Sequence, residues 1–481
     1  MTNPILRRTL NAPCLLIVLL AILACSFAVP GAATRATADQ ADPPASFEQL
    51  VNDTLNLRAS EVVTLDIDLT PGIERSIVVT IEGEDYTLNL TPHSVRAESY
   101  HVLMEYHDGE LVEFDPLPVR TVRGSLAGLP DSIIAGSVLD DGLHVIIKLD
   151  EENTYWIEPL GDRVAGAAEG EHVVYHADDV IPSGGKCGND AADVLDHSDA
   201  NEGTRQALGH GTCGETELGC DADEEYLNAH GGSVAGVVNR VEFVINIVNI
   251  QYESQVGITH VITAVLIHTN PPGTLPGSGT EGENTYPYTS SSPGTLLDQF
   301  RIHWNSTHGG IPHDVAHLFT GKNLTGGIIG IANCIGCICS SSAFALSQSD
   351  CCGSNACSTD LTAHELGHVW GGFHCNCPCC TMNTPLQCVN TFSAGSISSI
   401  TNHRNSSHCL SCPESGTTTL PFFDDFPTTT IDPDLWTGID GAAANNSGDG
   451  EPSTLFSLNL DSSDEIRSAI MDTSGSDLLV V

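Results

Sequence analysis

Eleven residues constrain this chain more than any others: HELGHVWGGFH, His364 to His374. On a helix, His364 and His368 are four apart and leave from one face, with Glu365 on an adjacent edge. Asp360, just before LTAHEL, predicts an N-cap. Gly371 and Gly372 predict the helix end, because glycine takes the left-handed position after a helix without steric cost. The sharp turn returns His374 to the point where the two helical imidazoles meet. Three neutral imidazoles so placed can hold Zn²⁺ at roughly 2.0–2.1 Å and leave a fourth tetrahedral position for water. A carboxylate beside that water can take its proton, while the metal lowers the water's pKa toward ~7 and polarises a carbonyl. HExxH alone arises by chance in a chain this long with a probability of roughly 0.05; the glycine and third histidine lower it to roughly 2 × 10⁻⁴. A helix that merely carries histidines has no need of Gly371.

The motif resembles the extended zinc signature of the metzincin metallopeptidases, HExxHxxGxxH. The resemblance implies that His364, His368 and His374 hold one catalytic Zn²⁺ and that Glu365 is the general base. It also implies a methionine turn beneath the metal, and Met382, in CCTMN, is the only methionine near the motif. No tyrosine follows Met382 within two residues, unlike the astacin and serralysin types. The surroundings are similar to the reprolysin or adamalysin branch. HDVAHLFTGKNLTGGIIGIA resembles the stretch leading into that branch's substrate-binding edge strand, here Gly327, Ile328, Ile329, Gly330, Ile331 and Ala332. An extended peptide would pair there by β-addition. CNCPCCTMN resembles its cysteine-framed methionine turn. The branch usually has Asp after the third histidine; this chain has Cys375. The resemblance is clear over Asp221 to Cys412.

Upstream, VRGSLAGLPDSIIAGSVLDDGLHVIIKLDEENTYWIEPL resembles the reprolysin propeptide. In that family a cysteine after the propeptide's folded part can occupy the metal's open position, and a thiolate there displaces the water. Cys187, in KCGND, matches such a cysteine switch loosely. Its alternatives are a free linker cysteine or one half of a disulfide.

Eighteen cysteines mark an oxidising compartment, and thirteen of them crowd between Cys334 and Cys412. For CNCPCC, Cys375 to Cys380, bridging is the expectation over a thiolate metal cluster. Fourteen cysteines from Cys220 onward could all pair if the mature chain began between Cys213 and Cys220. The N-terminus agrees with export: Arg7 and Arg8 precede the apolar CLLIVLLAILACSFAV, with small residues after it. A lipid anchor on Cys25 is the alternative. No segment is long and apolar enough to span a bilayer. The net charge of −45, from 62 acidic and 17 basic residues, excludes a nucleic-acid partner and adhesion to anionic lipid.

From about Glu61 to Tyr175 apolar residues alternate with polar ones, as in VVTLDIDL and HVIIKL, which predicts short antiparallel strands. SVAGVVNRVEFVINIVNIQY then predicts a helix, THVITAVLIH a strand and TLLDQFRIHWNST a second helix. The expected chain is multidomain. A signal peptide (1–33) is followed by a β-rich propeptide and linker (34–213). An α/β metzincin catalytic domain comes next (214–413), a mixed twisted sheet with helices and a disulfide-rich lower part. A linker and an incomplete β-rich C-terminal segment (414–481) end it. The expected function is a secreted zinc endopeptidase made as a zymogen and acting on proteins or peptides. The alternative is a non-catalytic adhesion or matrix-binding protein with a structural metal site. The C-terminal segment could target surfaces or glycans. A Ca²⁺ site is compatible with the resemblance, but no ligand set for it can be read.

Overall fold

The computed structural model describes residues 46–150, 153–189, 214–270, 287–348, 351–375, 377, 379–407 and 409–410, with the backbone of short strands between 418 and 472. The expectations on residues 1–33, on Cys25 and on the targeting role of 414–481 fall outside the residues whose side chains are described.

The first element went unforeseen: α1 (Phe47–Leu55), capped by Ser46, which accepts from Gln49 N, and anchored by buried Val51 and Leu55. Its apolar residues fall every four positions, a helical period too short to stand out beside the polar lead. The alternating stretch then forms β1 (Glu61–Thr64), β2 (Arg75–Ile81), β3 (Glu84–Pro92), β4 (Arg96–Tyr106), β5 (Leu111–Phe114), β6 (Thr121–Leu126), β7 (Leu129–Leu139), β8 (Gly142–Lys148), β9 (Thr154–Pro159) and β10 (Glu171–His176). Eight of these make one antiparallel sheet, ordered β1-β10-β9-β8-β7-β6-β3-β2.

β4 and β5 do not join it. The β-rich stretch expected from Glu61 to Tyr175 is present, and two of its strands enter the sheet of the catalytic region. After the two-residue β11 (Lys186–Cys187) come β12 (Glu215–Ala222), α2 (Glu224–Ala229), α3 (Val234–Val256), β13 (Thr259–Thr269), α4 (Pro293–His303), β14 (Val315–Thr320), β15 (Ile328–Ala332), β16 (Phe344–Gln348), α5 (Asn355–Val369) and α6 (Ala394–Asn405). The second sheet runs β11-β15-β16-β14-β12-β13-β4-β5. Its four central strands are parallel, and so are the β4 and β11 pairings at either side. Periodicity cannot reveal this, because an alternating strand reads the same whichever sheet it enters.

The long helix α3 lies between the sheets, against β7, β13 and α5. It is apolar almost all round, as a fully enclosed helix must be, and several of its polar exceptions make specific bonds. Asn246 donates to the carbonyls of Val122 (3.0 Å) and Gly136 (2.9 Å) in the first sheet. Glu242, 1% exposed, accepts from Arg96 Nε (2.7 Å), Arg96 Nη2 (3.0 Å) and Tyr100 (2.9 Å) on β4. Gln251 donates to Thr381 Oγ1 at 2.9 Å, under the candidate site. Each such bond contributes about 1 kcal/mol net, and more where charged.

Beyond residue 417, three two-stranded pairs are described: Thr418–Thr419 with Met471–Asp472, Trp436–Asp440 with Glu465–Ser468, and Ala443–Asn446 with Ser457–Asn459.

Candidate metal centre

The helix that carries the motif starts earlier than expected. Ser354 is the N-cap of α5, and Asp360 lies in its interior, fully buried. There Asp360 anchors the loop below. It accepts from Thr381 Oγ1 (2.6 Å), Asn390 N (3.0 Å) and Val389 N (3.1 Å). Burial raises its pKa to about 6, against the lowering effect of those bonds. The sequence signal that suggested a cap, a short carboxylate that bonds backbone N–H groups, was read correctly in kind and wrongly in place. The amides belong to a distant loop.

At the other end the glycine argument holds. The helix ends at Val369, and Gly371 takes φ +87°, with its N–H on His368 O at 2.9 Å. Gly372 N closes on Gly367 O at 2.7 Å, and the chain reverses. His374 thereby meets His364 and His368. The three Nε2 atoms form a triangle with sides of 3.3, 3.1 and 3.1 Å. Tetrahedral ligation with Zn–N near 2.05 Å needs ligands about 3.3 Å apart, so the set fits zinc. Each helical imidazole is oriented from behind. His364 Nδ1 lies 2.7 Å from Thr381 O, and His368 Nδ1 2.7 Å from Gly372 O. Carbonyl acceptors assign the proton to Nδ1 and leave the Nε2 lone pair free to ligate. Burial pushes His364 down to about 3 and His368 well below its ordinary value, so both stay neutral, as ligands must be.

Glu365 is fully buried beside the triangle. Its Oε1 has no hydrogen-bond partner, and burial raises its pKa well above the carboxylate range. Met382 is fully buried below: a Cβ on Gly367 would come within 2.6 Å of its Sδ. The strand starts at Ile328, so Gly327, expected in it, falls instead in the preceding turn with φ +71°. A Cβ on Gly330 would lie 2.4 Å from Glu365 Oε1, which is why this strand can pass over the carboxylate.

The edge of β15 is covered, where a free edge was expected. β11 pairs with it in parallel, Lys186 opposite Ile328 and Cys187 opposite Gly330. Gly188 N bonds Gly330 O at 2.8 Å, and Leu386 N bonds Gly185 O at 3.0 Å. The Asn189 amide bonds Ala332 twice, Nδ2 to the carbonyl and Oδ1 from the N–H, both at 3.1 Å. This places Cys187 Sγ 3.5 Å from His368 Nε2 and 3.4 Å from Glu365 Oε2. Sγ and the three imidazole nitrogens all lie within 4.8 Å of one another. Cys187 is unpaired, and burial raises its thiol pKa well above the ordinary value, with the Glu365 charge adding to it. Asn189 was missed in the sequence; only its nearness to Cys187 could have drawn attention to it.

Disulfides Cys334–Cys337, Cys339–Cys409, Cys351–Cys352 and Cys357–Cys388 brace the lower part, the last tying α5 to the loop that Asp360 holds. Cys377 Sγ lies at bonding distance from both Cys375 and Cys380 Sγ, and only one of these two bridges can form at a time. Cys220 is buried in β12 and unpaired, so the fourteen cysteines from Cys220 onward do not all pair, contrary to expectation.

Residues 216–416 match the family model Reprolysin_5, metallo-peptidase family M12. No curated protein matches the chain. Among solved structures, the chain is similar to metalloproteinase-II from Bacteroides fragilis, with 13% identity, 69% of this chain and 92% of that one covered, and a TM-score of 0.38. The family implies a zinc cofactor and protein or peptide substrates, and no described helix is long and apolar enough to cross a membrane. Residues 216–416 thus carry a reprolysin-like metallopeptidase domain of family M12.

Proposed function

We propose that the chain is an exported zinc endopeptidase of the metzincin type, made as a latent precursor. The observation that carries this is the unpartnered, buried Oε1 of Glu365 beside three convergent imidazole nitrogens. A structural metal site has no use for such an oxygen, whose burial without a partner costs about 1–3 kcal/mol. His364, His368 and His374 would hold the zinc, which when bound supplies Lewis acidity toward a water and a scissile carbonyl. Glu365 takes the water's proton and delivers it to the leaving amine. Its raised pKa suits both acts, since it can hold the proton between them. The backbone of β15 aligns an extended peptide, using the groups on Gly330 and Ala332 that Gly188 and Asn189 now occupy. Cys187 covers the remaining position, so the intact chain is latent. The disulfides accord with export to an oxidising compartment.

A specific observation also favours the second reading, a structural metal in a non-catalytic protein: Cys187 is a fourth protein ligand in reach. The two readings separate in one experiment. The chain is cut between residues 190 and 213, and cleavage of a denatured protein such as casein is followed. The peptidase reading requires activity that chelator abolishes. It also requires Glu365→Gln to remove activity while zinc content stays unchanged. A cut, zinc-loaded chain with no activity, or one indifferent to Glu365→Gln, would sink it.

A further inference from the structure

We propose that a second metal ion binds where β4, β13 and the end of α4 meet, held by Glu105, His268 and His303. The three come from separate parts of the chain. Glu105 on β4 stands directly opposite His268 on β13, and His303 ends α4. On Glu105 Oε2 converge His303 Nε2 at 2.8 Å, His308 Nε2 at 2.9 Å and His268 Nδ1 at 3.3 Å. The ligating atoms of Glu105, His268 and His303 lie within 4.8 Å of one another, as do those of the first centre.

Two features point to an ion in place of a plain ion-pair cluster. His268 is 1% exposed, and its Nδ1 makes no well-aligned hydrogen bond, only a long 3.3 Å approach to Glu105 Oε2. Its other nitrogen is already committed: Nε2 lies 3.1 Å from Asp221 Oδ2, which also accepts from Tyr288 at 2.7 Å. Asp221 and Tyr288 are fully enclosed. A carboxylate behind a histidine puts the proton on the far nitrogen and turns the near lone pair inward, the arrangement that orients metal-ligating imidazoles. Two imidazoles and one carboxylate, the carboxylate also bonded by His308, suit Zn²⁺ or another borderline divalent ion, and burial makes the site structural. Glu105 and Asp221 balance a divalent charge. Because Glu105 precedes Cys187 in the chain, the ion would fasten the N-terminal region to the metallopeptidase domain.

The proposal is independent of catalysis and is tested on the whole chain by metal content after zinc loading and removal of excess. Two ions per chain are expected. Glu105→Gln and His303→Gln should each leave one, retained by the motif histidines. A His364→Ala, His368→Ala chain should keep the other ion and be thermally stabilised by added zinc. Asp221→Asn should weaken that ion's binding ~10–100-fold without removing a ligand. One ion in the wild type, lost entirely in the His364→Ala, His368→Ala chain, overturns the proposal. So does the absence of any zinc-induced stabilisation in that chain, a measurement that needs no variant of the cluster itself.

Discussion

Asn189→Ala should partly unlatch the intact chain. Besides the β11–β15 ladder and the Cys187 contact, four hydrogen bonds hold the segment Gly185–Asn189: one from Gly188, one to Gly185 and two through the Asn189 amide. At about 1 kcal/mol net each, they hold the closed state by ~4 kcal/mol even without the thiol. Cys187→Ala alone therefore leaves the edge largely covered. Asn189→Ala deletes two of the four bonds, ~2 kcal/mol, and raises the open fraction ~30-fold. While the open fraction is small, cleavage of a fluorogenic peptide rises in proportion. The double variant should approach the product of the two effects, with a further gain if the thiol is a metal ligand. Initial rates are read while intact mass confirms that the chain is uncut. If the double variant is no more active than the wild type, although a chain cut between residues 190 and 213 is active, latency resides elsewhere and the reasoning fails.

Gly330→Ala should cost at least tenfold in cleavage by the cut chain while zinc content is unchanged, since its Cβ would force Glu365 Oε1 to move; overpacking of this kind costs about 1–3 kcal/mol. Unchanged activity would mean that Glu365 tolerates displacement. Asp360→Ala strips three bonds from the loop under the centre and should lower stability by about 3 kcal/mol, seen as a reduced urea midpoint with Met382 less protected from oxidation. Acid should destabilise the fold through His260 and His317, both fully buried, where burial depresses their pKa from 6.5 to about 3. The unfolded chain then binds protons the folded one refuses. Their contribution is complete above pH 6.5 and falls away between 6.5 and 3, each by several kcal/mol at ~1.36 per unit. His317→Gln should flatten that slope, and an identical slope would remove His317 from the account.

What the sequence reveals here is what lies within one turn or one element. His364, His368, Gly371 and His374 lie within eleven residues, so one helix and the turn that ends it bring them together. β13 and α3 were legible for the same reason: each is long, with a period that holds from end to end. Asp360 misled because a carboxylate that caps a helix and one that pins a remote loop use the same chemistry. Gly330 and Asn189 carry no local signal, since each acts on a residue more than thirty positions away.

The larger omission, the entry of β4 into the second sheet, has a consequence for how the N-terminal region belongs to the molecule. β13 is paired along its length with β12 on one side and β4 on the other. Without β4 it would be an apolar edge strand of eleven residues, an aggregation hazard. Glu242, buried in α3, would lose the Arg96 guanidinium, and a buried carboxylate stripped of its partner costs about 3–5 kcal/mol. Arg123, on β6, makes the same kind of link to Glu253 and Asn246. Hence a cut after Cys187 frees the edge of β15, where only two residues pair, without freeing β13, where an eleven-residue strand stays bound. On the proposed latency, inhibition and structural support would come from the same N-terminal region but from strands of very different length. Only the short one can leave while the rest stays folded.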